Sequence, residues 1–408
     1  MSVIGADKTE ELDTGSFIDT ISDIHAAYLQ ENGNQTTDLS MKESFSKFLA
    51  QGLPGKKDEY WKYTDLGKAI SKKSFNLQSP KSLLCADNGE AIEEGAVQNA
   101  SKEDVVVPLK EGSDGNSLLD LSRSLSDCAV INHEISENGR YILTHNTYEN
   151  SLNSPRVVLK VKNGVEATLI EELDCPDNSW LNSFVTIEVE ANGKLTHYVK
   201  SKQETGSVLT SHINVGVQED GLYRAFWLNK GGKIGRNSVS IRLKGRRAES
   251  HLTALNLLKN NNHQDSTFYV RHDAEDTHST QTVKNIAADK GRVVFQGKTF
   301  VEKDAQKTDA RQLCKSVLLS RTAEIDAKPE LEIYADDVQC AHGATCGELD
   351  EQSLFYLRSR GLNDNQARAL LLRAFIEDVI ENISDENILN AYEANLDSFL
   401  ADINSDAG

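Results

Sequence analysis

From about Arg156 to Val338 apolar and polar residues alternate, and turn dipeptides punctuate the alternation at a near-constant interval. Val157, Leu159 and Val161 alternate in RVVLKVK, Val185, Ile187 and Val189 in FVTIEVE, and Val239, Ile241 and Leu243 in SVSIRLKG; GRVVFQGKTFVEKD reads as a further strand. A period of two belongs to a strand with one buried face. Asn138-Gly139, Asn163-Gly164, Asn192-Gly193, Asp220-Gly221 and Lys244-Gly245 follow one another every 24 to 29 residues. A strand, a turn and another strand therefore repeat, which suits a β-solenoid. Asn-Gly between strands is also a hairpin signal, so the local chemistry fits an antiparallel sandwich about as well. Periodicity leaves the two open.

Helical spacing brackets this region. In SFIDTISDIHAAYL the residues Phe17, Ile21, Ile24 and Tyr28 share a helical stripe. A second helix is expected in SMKESFSKFLAQGLP, with Ser40 and Glu43 as a capping box, Phe45, Phe48 and Leu49 as the buried stripe, and Gly52 with Pro54 as the stop. Residues 79 to 117 are poorly periodic. After Gly347, Leu349 and Leu354 flank Asp350 as a hydrophobic staple around an N-cap, and the helix stops at Gly361. Another starts at Asn363 with Gln366 in the capping-box position and Ala367, Leu370, Leu371, Ala374 and Ile380 along one side. A third, from near Ser384, carries Ile388, Leu389, Tyr392, Leu396, Phe399 and Leu400.

Six cysteines, at 85, 128, 175, 314, 340 and 346, are too few and too irregular for a disulfide framework and form no C-x-x-C. A reducing, cytoplasmic setting is expected, since the N-terminus lacks a basic-then-apolar run and no apolar stretch could span a membrane. The net charge of −19 argues against a nucleic-acid platform. Ile376 to Gly408 holds nine acids and no Lys or Arg, while Arg224 to Arg247 holds eight basic residues and no acid. Both read as solvated faces.

The stretch ADDVQCAHGATCGELDEQSLFYLRSRGL, 335 to 362, places two of the six cysteines beside a histidine. Residues two apart on a strand share a face, so Cys340 and His342 could reach one metal ion if DVQCAH ends a strand, with Gly343 and Gly347 breaking it. Two ligands do not close a site that takes about four. Another chain would complete it, or Cys346 would fold back. On residue chemistry alone, packing of two small thiols is the stronger reading.

LEIYADDVQCAHGATCGELDEQSLFYLRSRGL resembles the C-terminal motif of the SufB/SufD family, scaffold subunits of the Suf iron-sulfur cluster assembly complex. TFVEKDAQKTDARQLCKSVLLS and GRNSVSIRLKGRRAESHLTAL are similar to further blocks of that family, and GLPGKKDEYWKYTDL to the N-terminal element of its SufD branch. The resemblance implies a mainly β chain: a right-handed parallel β-helix over 76–347, between an N-terminal helical region, 1–75, and a C-terminal helical domain, 348–408. It implies pairing with SufB through the β-helices and docking of the SufC ATPase on the C-terminal helices, here Leu354, Phe355, Tyr356, Leu357, Arg358, Arg360 and Gly361. The chain itself would be no ATPase, would bind no cofactor tightly and would see iron or a cluster only transiently. The family's shared site falls on Cys340 and His342, with Cys346 an accessory candidate at a position where the family commonly carries an apolar residue. The alternative from another class is a homodimeric β-helix protein that binds metal without Suf partners.

Other motifs weigh less. GKT at 297 to 299 lacks the glycine of a phosphate loop, Arg292 standing there, and continues as a strand. In HDAEDTH, His272 and His278 are read as a solvated loop, with accessory iron handling as the sharper alternative. Trp61 and Tyr63 are read as packing a linker against the core. The basic segment raises single-stranded nucleic acid as a competing ligand, weakened because strand alternation divides its charges between faces. Cys314 is read as an inert core thiol.

Overall fold

The computed structural model describes residues 19, 21–22, 25–26, 35–70, 75–77, 82–86, 91–94, 116–125, 131–381, 383 and 385–405. The alternating region coils as a parallel β-solenoid with two ten-stranded sheets facing each other. Trp180–Val189, Val208–Val217, Ile234–Leu243, His263–His272, Arg292–Val301 and Glu324–Ile333 follow one another in the first sheet. Glu166–Cys175, Lys194–Gln203, Leu222–Asn229, Glu249–Leu258, His278–Ala287, Asp309–Leu318 and Gln339–Gly347 do so in the second. One turn takes 26 residues from Val208 to its partner Ile234 and 32 from Arg292 to Glu324. The solenoid reading holds and the sandwich falls.

The Asn-Gly signals mark corners of the coil. Gly193 N–H donates to Glu190 O at 2.9 Å, and Asn192 between them takes φ 57°. Asp220 does the same at φ 55° in the turn that Gly221 closes on Gln218 O. Asn and Asp tolerate this left-handed backbone because their short polar side chains bond locally. At Asn163-Gly164 the glycine itself takes the left-handed backbone, at φ 73°, whereas Gly245 answers a different demand, the close approach of a neighbouring turn. A Cβ on Gly245 would stand 1.9 Å from Glu219 N. Corner amides also bond across turns, Asn192 N–H to Glu219 O at 2.9 Å and Asp220 N–H to Arg246 O at 3.0 Å, which a hairpin would not provide.

Inside the coil, Leu169, Val185, Leu195, Ile213, Trp227, Val239, Leu252, Phe268, Val283 and Phe295 belong to one continuous core. The outer faces are partly covered too, so several strands are buried on both sides, as in Trp180 to Val185. On the first sheet lie α1 (Gln35–Gln51), α2 (Leu66–Ile70) and α3 (Asn116–Leu125), joined by a short turn at Glu59–Trp61. Ile21, Phe48, Trp61, Leu66, Leu118 and Leu121 pack there with Trp180, Phe184, Val208 and Ile234. Ile21 fits the expected first stripe; Phe17, Ile24 and Tyr28 lie outside the described residues. Helix α1 spans Gln35–Gln51, so position 40 falls within the helix and not at its start, and 35 to 40 contains no Gly or Pro to break it. Phe48 is buried but Leu49 is exposed, and Gly52 ends the helix at φ 72° with its N–H on Phe48 O.

The second sheet is covered by α5 (Asp364–Ile380) and α6 (Glu386–Ser405), preceded by α4 (Glu351–Ser359). Leu372, Ile376, Val379, Tyr392, Leu396 and Phe399 meet Tyr198, Phe226, Leu255, Leu257 and Ile286. The caps fall where expected: Asp350 accepts from Ser353 N at 2.8 Å, and Asn363 with Gln366 forms a reciprocal box. The stripe on α5 differs, running through Ala367, Leu372, Ile376 and Val379 while Leu370 is exposed. Apolar residues on both sides of α5 make its inner face ambiguous in sequence. The acid-only stretch is not simply solvated: Asp378 pairs with Lys284, Asp385 with Arg140 and Asp402 with Lys259. In the basic segment Arg242 pairs with Asp273, Lys244 with Glu188, Arg246 with Asp276 and Arg247 with Asp220, all from neighbouring turns. No described helix is long and apolar enough to cross a membrane.

Candidate functional site at the end of the solenoid

Among the described residues, Gln339–Gly347 is the terminal strand of the second sheet and pairs only with Asp309–Leu318. Its register sets Cys340 opposite Ala310, His342 opposite Gln312 and Cys346 opposite Ser316. Ala310, Gln312, Cys314 and Ser316 are the buried alternates of their strand. Cys340, His342 and Cys346 therefore occupy the inward side of the last turn, where no further turn among the described residues covers them. The strand does not stop at His342. It continues through Gly343 to Gly347, and a Cβ on Gly343 would meet nothing closer than Leu313 Cδ1 at 3.7 Å. Gly343 thus lies within the strand, opposite Leu313 and on the other face from His342, without breaking it.

Cys340 is half-buried against Val301, Ala305, Ala335 and Val338. Burial pushes its thiol up, a backbone hydrogen bond from Ala310 opposing the effect. His342 and Cys346 are exposed, and burial still raises the Cys346 thiol. One turn back, Cys314 is fully buried, with Asn285 Nδ2 donating to its sulfur at 3.4 Å and its pKa pushed up to about 11 by burial. It is the core thiol the sequence indicated. The edge offers a sulfur and an imidazole from one side of a strand. Among the described residues no three His, Cys, Asp or Glu side chains gather into a ready-made metal site. The exposed Ile333 and Tyr334 end the neighbouring edge strand, Glu324–Ile333.

His272 and His278 are placed apart in role. His272 is fully buried and not in a solvated loop, because it ends a strand. Its Nδ1 is 2.8 Å from Thr277 Oγ1 and its Nε2 2.9 Å from Ser279 Oγ, and burial lowers its pKa to about 3. A metal would have to displace a hydroxyl from it. His278 is half-exposed on the outer face, its Nδ1 3.8 Å from Asp309 Oδ2.

On α4, Leu354, read as part of the docking surface, is buried at 1% exposure. Phe355 and Tyr356 are 69% and 56% exposed. Arg360 stacks 5.1 Å from the Tyr356 ring centroid, Arg358 pairs with Asp364 at 3.0 Å, and Gly361 takes φ 98° at the helix end. Leu357 is half-buried.

Two buried polar constellations escaped sequence reading. Glu171, inside the coil, lies 3.0 Å from both His145 Nε2 and His197 Nε2, and His197 Nδ1 is 2.9 Å from Tyr223 OH. Beneath the N-terminal region, the buried Arg236 pairs with the buried Asp265, which also accepts from Thr64 Oγ1 at 2.5 Å. Their members come from separate turns, so no local spacing announces them.

Residues 143–375 match the family model described as SUF system FeS cluster assembly, SufBD core domain. The chain belongs to the SufB/SufD family. The match runs from within the strand Gly139–Asn146 into α5 and so includes both the terminal strand and α4. Over 379 residues the chain is 29% identical to the iron-sulfur cluster assembly protein SufD of Escherichia coli, covering 85% of this chain and 89% of that protein. An iron-sulfur cluster assembly SufBD family protein of Synechocystis is 29% identical over 81% of this chain and 84% of its own. The chloroplastic protein ABCI7 of Arabidopsis thaliana is 33% identical over 58% of this chain and 51% of its own.

Proposed function

We propose that this SufB/SufD family chain is a non-catalytic scaffold subunit for iron-sulfur cluster assembly. It meets a SufB-type partner at the uncovered end of its solenoid and receives a SufC-type ATPase on its C-terminal helices. The observation that carries the reading is the placing of Cys340 and His342 on the same side of a strand with no further strand beyond it among the described residues. A thiolate and an imidazole suit iron, yet two ligands fall short of the roughly four that iron or zinc takes. A partner's ligands would complete the set, with the iron or cluster as cargo. The edge itself supports pairing, since unpaired strand groups and the exposed Ile333 and Tyr334 favour contact with another chain. For the ATPase, the exposed Phe355 and Tyr356 supply an aromatic anchor on a capped helix.

Co-expression with SufB- and SufC-type subunits tests this. One complex containing all three chains is expected on size exclusion. Elution of this chain apart from both partners overturns the assignment. Stoichiometric, tight iron binding by the isolated chain through Cys340 and His342 would favour instead a homodimeric metal-binding protein.

A further inference from the structure

Four polar side chains stand in one row along the inside of the coil. Ser183, Ser211, Asn237 and Ser266 are register partners on successive strands of the first sheet. Leu181 and Val185 flank Ser183 in the inner core, Leu209 and Ile213 flank Ser211, and Val239 and Phe268 lie two residues beyond Asn237 and Ser266, so the row faces inward. Each of the four is at most 1% exposed. The Oγ of Ser183, Ser211 and Ser266 and the Oδ1 of Asn237 nonetheless have no hydrogen-bond partner among the described residues.

Turning its amide does not satisfy Asn237. Its Nδ2 donates to Asn229 Oδ1 at 3.0 Å, Asn229 to Asn256 at 2.8 Å, Asn256 to Asn285 at 2.7 Å and Asn285 to Ser316 at 2.9 Å. Each asparagine along this relay gives one bond and takes one, so whichever way the relay runs, one end of the Asn237 amide is left over. Two residues earlier the inner position is Gly235, and Gln203 Oε1 and Gln264 Oε1 fill the space a Cβ would take there. Both oxygens are unpartnered too, although Gln203 Nε2 donates to Ile234 O at 3.2 Å and Gln264 Nε2 to Asp265 O at 3.3 Å. The buried Trp227, its ring 5.3 Å from that of Phe268, adds an indole N–H with nothing to donate to.

Buried polar atoms are costly to leave unmet, and ordered water is what meets them where the chain does not. A guest on this row must donate to amide oxygens and accept from an indole N–H. Water does both. A cation could not accept and would be buried without counter-charge, and an anion could not donate. The spacing agrees, because register partners stand about 4.8 Å apart, and two hydrogen bonds of about 2.8 Å meeting at a water's tetrahedral angle span roughly 4.6 Å. The serines are small beside Leu181, Leu209 and Ile213, which leaves room in the inner wall.

We propose that Ser183, Ser211, Asn237 and Ser266 bind a row of internal water molecules, with the Gln203 and Gln264 oxygens and the Trp227 indole as further partners. The row belongs to the wall of the solenoid and needs neither a metal nor the open end of the coil.

A crystal structure of the full chain, at a resolution that shows ordered water, is the first test. At least two waters are expected inside the coil, each within about 2.6 to 3.2 Å of two of the four side-chain oxygens. The second test is Ser211→Ala with Ser266→Ala. Where the hydroxyls hold water, alanine strips partners from it and Tm should fall by about 2 to 4 °C; were they unmet, alanine would remove a penalty and Tm would rise. A dry row, hydroxyls bonded directly to the chain, or a Tm unchanged or raised overturns the proposal. The wild-type structure decides the matter should the double variant fail to fold.

Discussion

The guanidinium of Arg236 lies 4.2 Å from the ring centroid of Trp61, and both side chains are buried. An N-terminal aromatic thus roofs a charge on the outer face of the first sheet. Gln296 Nε2 donates to Tyr60 O at 2.9 Å and Lys328 pairs with Glu59 at 3.0 Å, extending the same seam.

Trp61→Ala should cost about 3 to 5 kcal/mol, because it removes a large buried ring and the cover over Arg236. A lowered denaturant midpoint together with faster proteolysis between residues 52 and 66 is expected. An unchanged midpoint would mean that the segment rests on the coil without anchoring it.

His342→Ala should lower cluster yield in the assembled complex while leaving thermal unfolding within about 0.5 kcal/mol of wild type, since the side chain is exposed on an edge strand. Cys340→Ala should act in the same direction and cost somewhat more stability, because Cys340 packs against Val338 and Ala335. Iron and sulfide content of the purified complex reads the first effect. Wild-type content in the His342 variant would reject the role given to this residue.

Phe355→Ala with Tyr356→Ala should weaken ATPase recruitment at least about tenfold without unfolding the chain, as both rings are exposed. Truncation at Gly347 is a poorer probe. It would also strip α5 and α6 from Tyr198, Phe226 and Leu255 and bare an apolar face. A pull-down titration against the ATPase decides the matter, and undiminished binding places the dock elsewhere.

Glu171 should make the solenoid acid-sensitive. Burial acts to raise its pKa, but hydrogen bonds and charge from His145 and His197 prevail and hold it at about 2, below the ordinary 4.5. A depressed carboxylate adds stability above its unfolded pKa and loses it as pH falls through the folded value. Glu171→Gln should therefore be less stable by about 3 kcal/mol at pH 7, and the gap should shrink between about pH 5 and 2. Denaturation midpoints across that window check it. A pH-independent gap would show that packing, not charge, accounts for the loss.

How much was legible depended on how local the signal was. Asp350 and Asn363 with Gln366 could be read because a cap involves residues three apart, whereas Ser40 and Glu43 carried the same pattern inside an uninterrupted helix. Strand alternation placed Cys340 and His342 on one side, since a period of two fixes the face whatever the sheet. It could not tell coil from hairpin, because Asn192 adopts a left-handed backbone at either kind of turn. That distinction rests on which strand lies alongside, a relation across 26 residues or more. The same distance hid Glu171 from His145 and His197.

The two ends of the coil are unlike. At its start the second sheet is closed off by the short antiparallel strands Ser82–Ala86 and Ala91–Glu94, while at its finish no described strand pairs beyond the nine-residue Gln339–Gly347. Among the described residues the second sheet thus offers a further strand a place to add at one end and is closed by antiparallel pairing at the other, so growth along the coil axis would be one-sided.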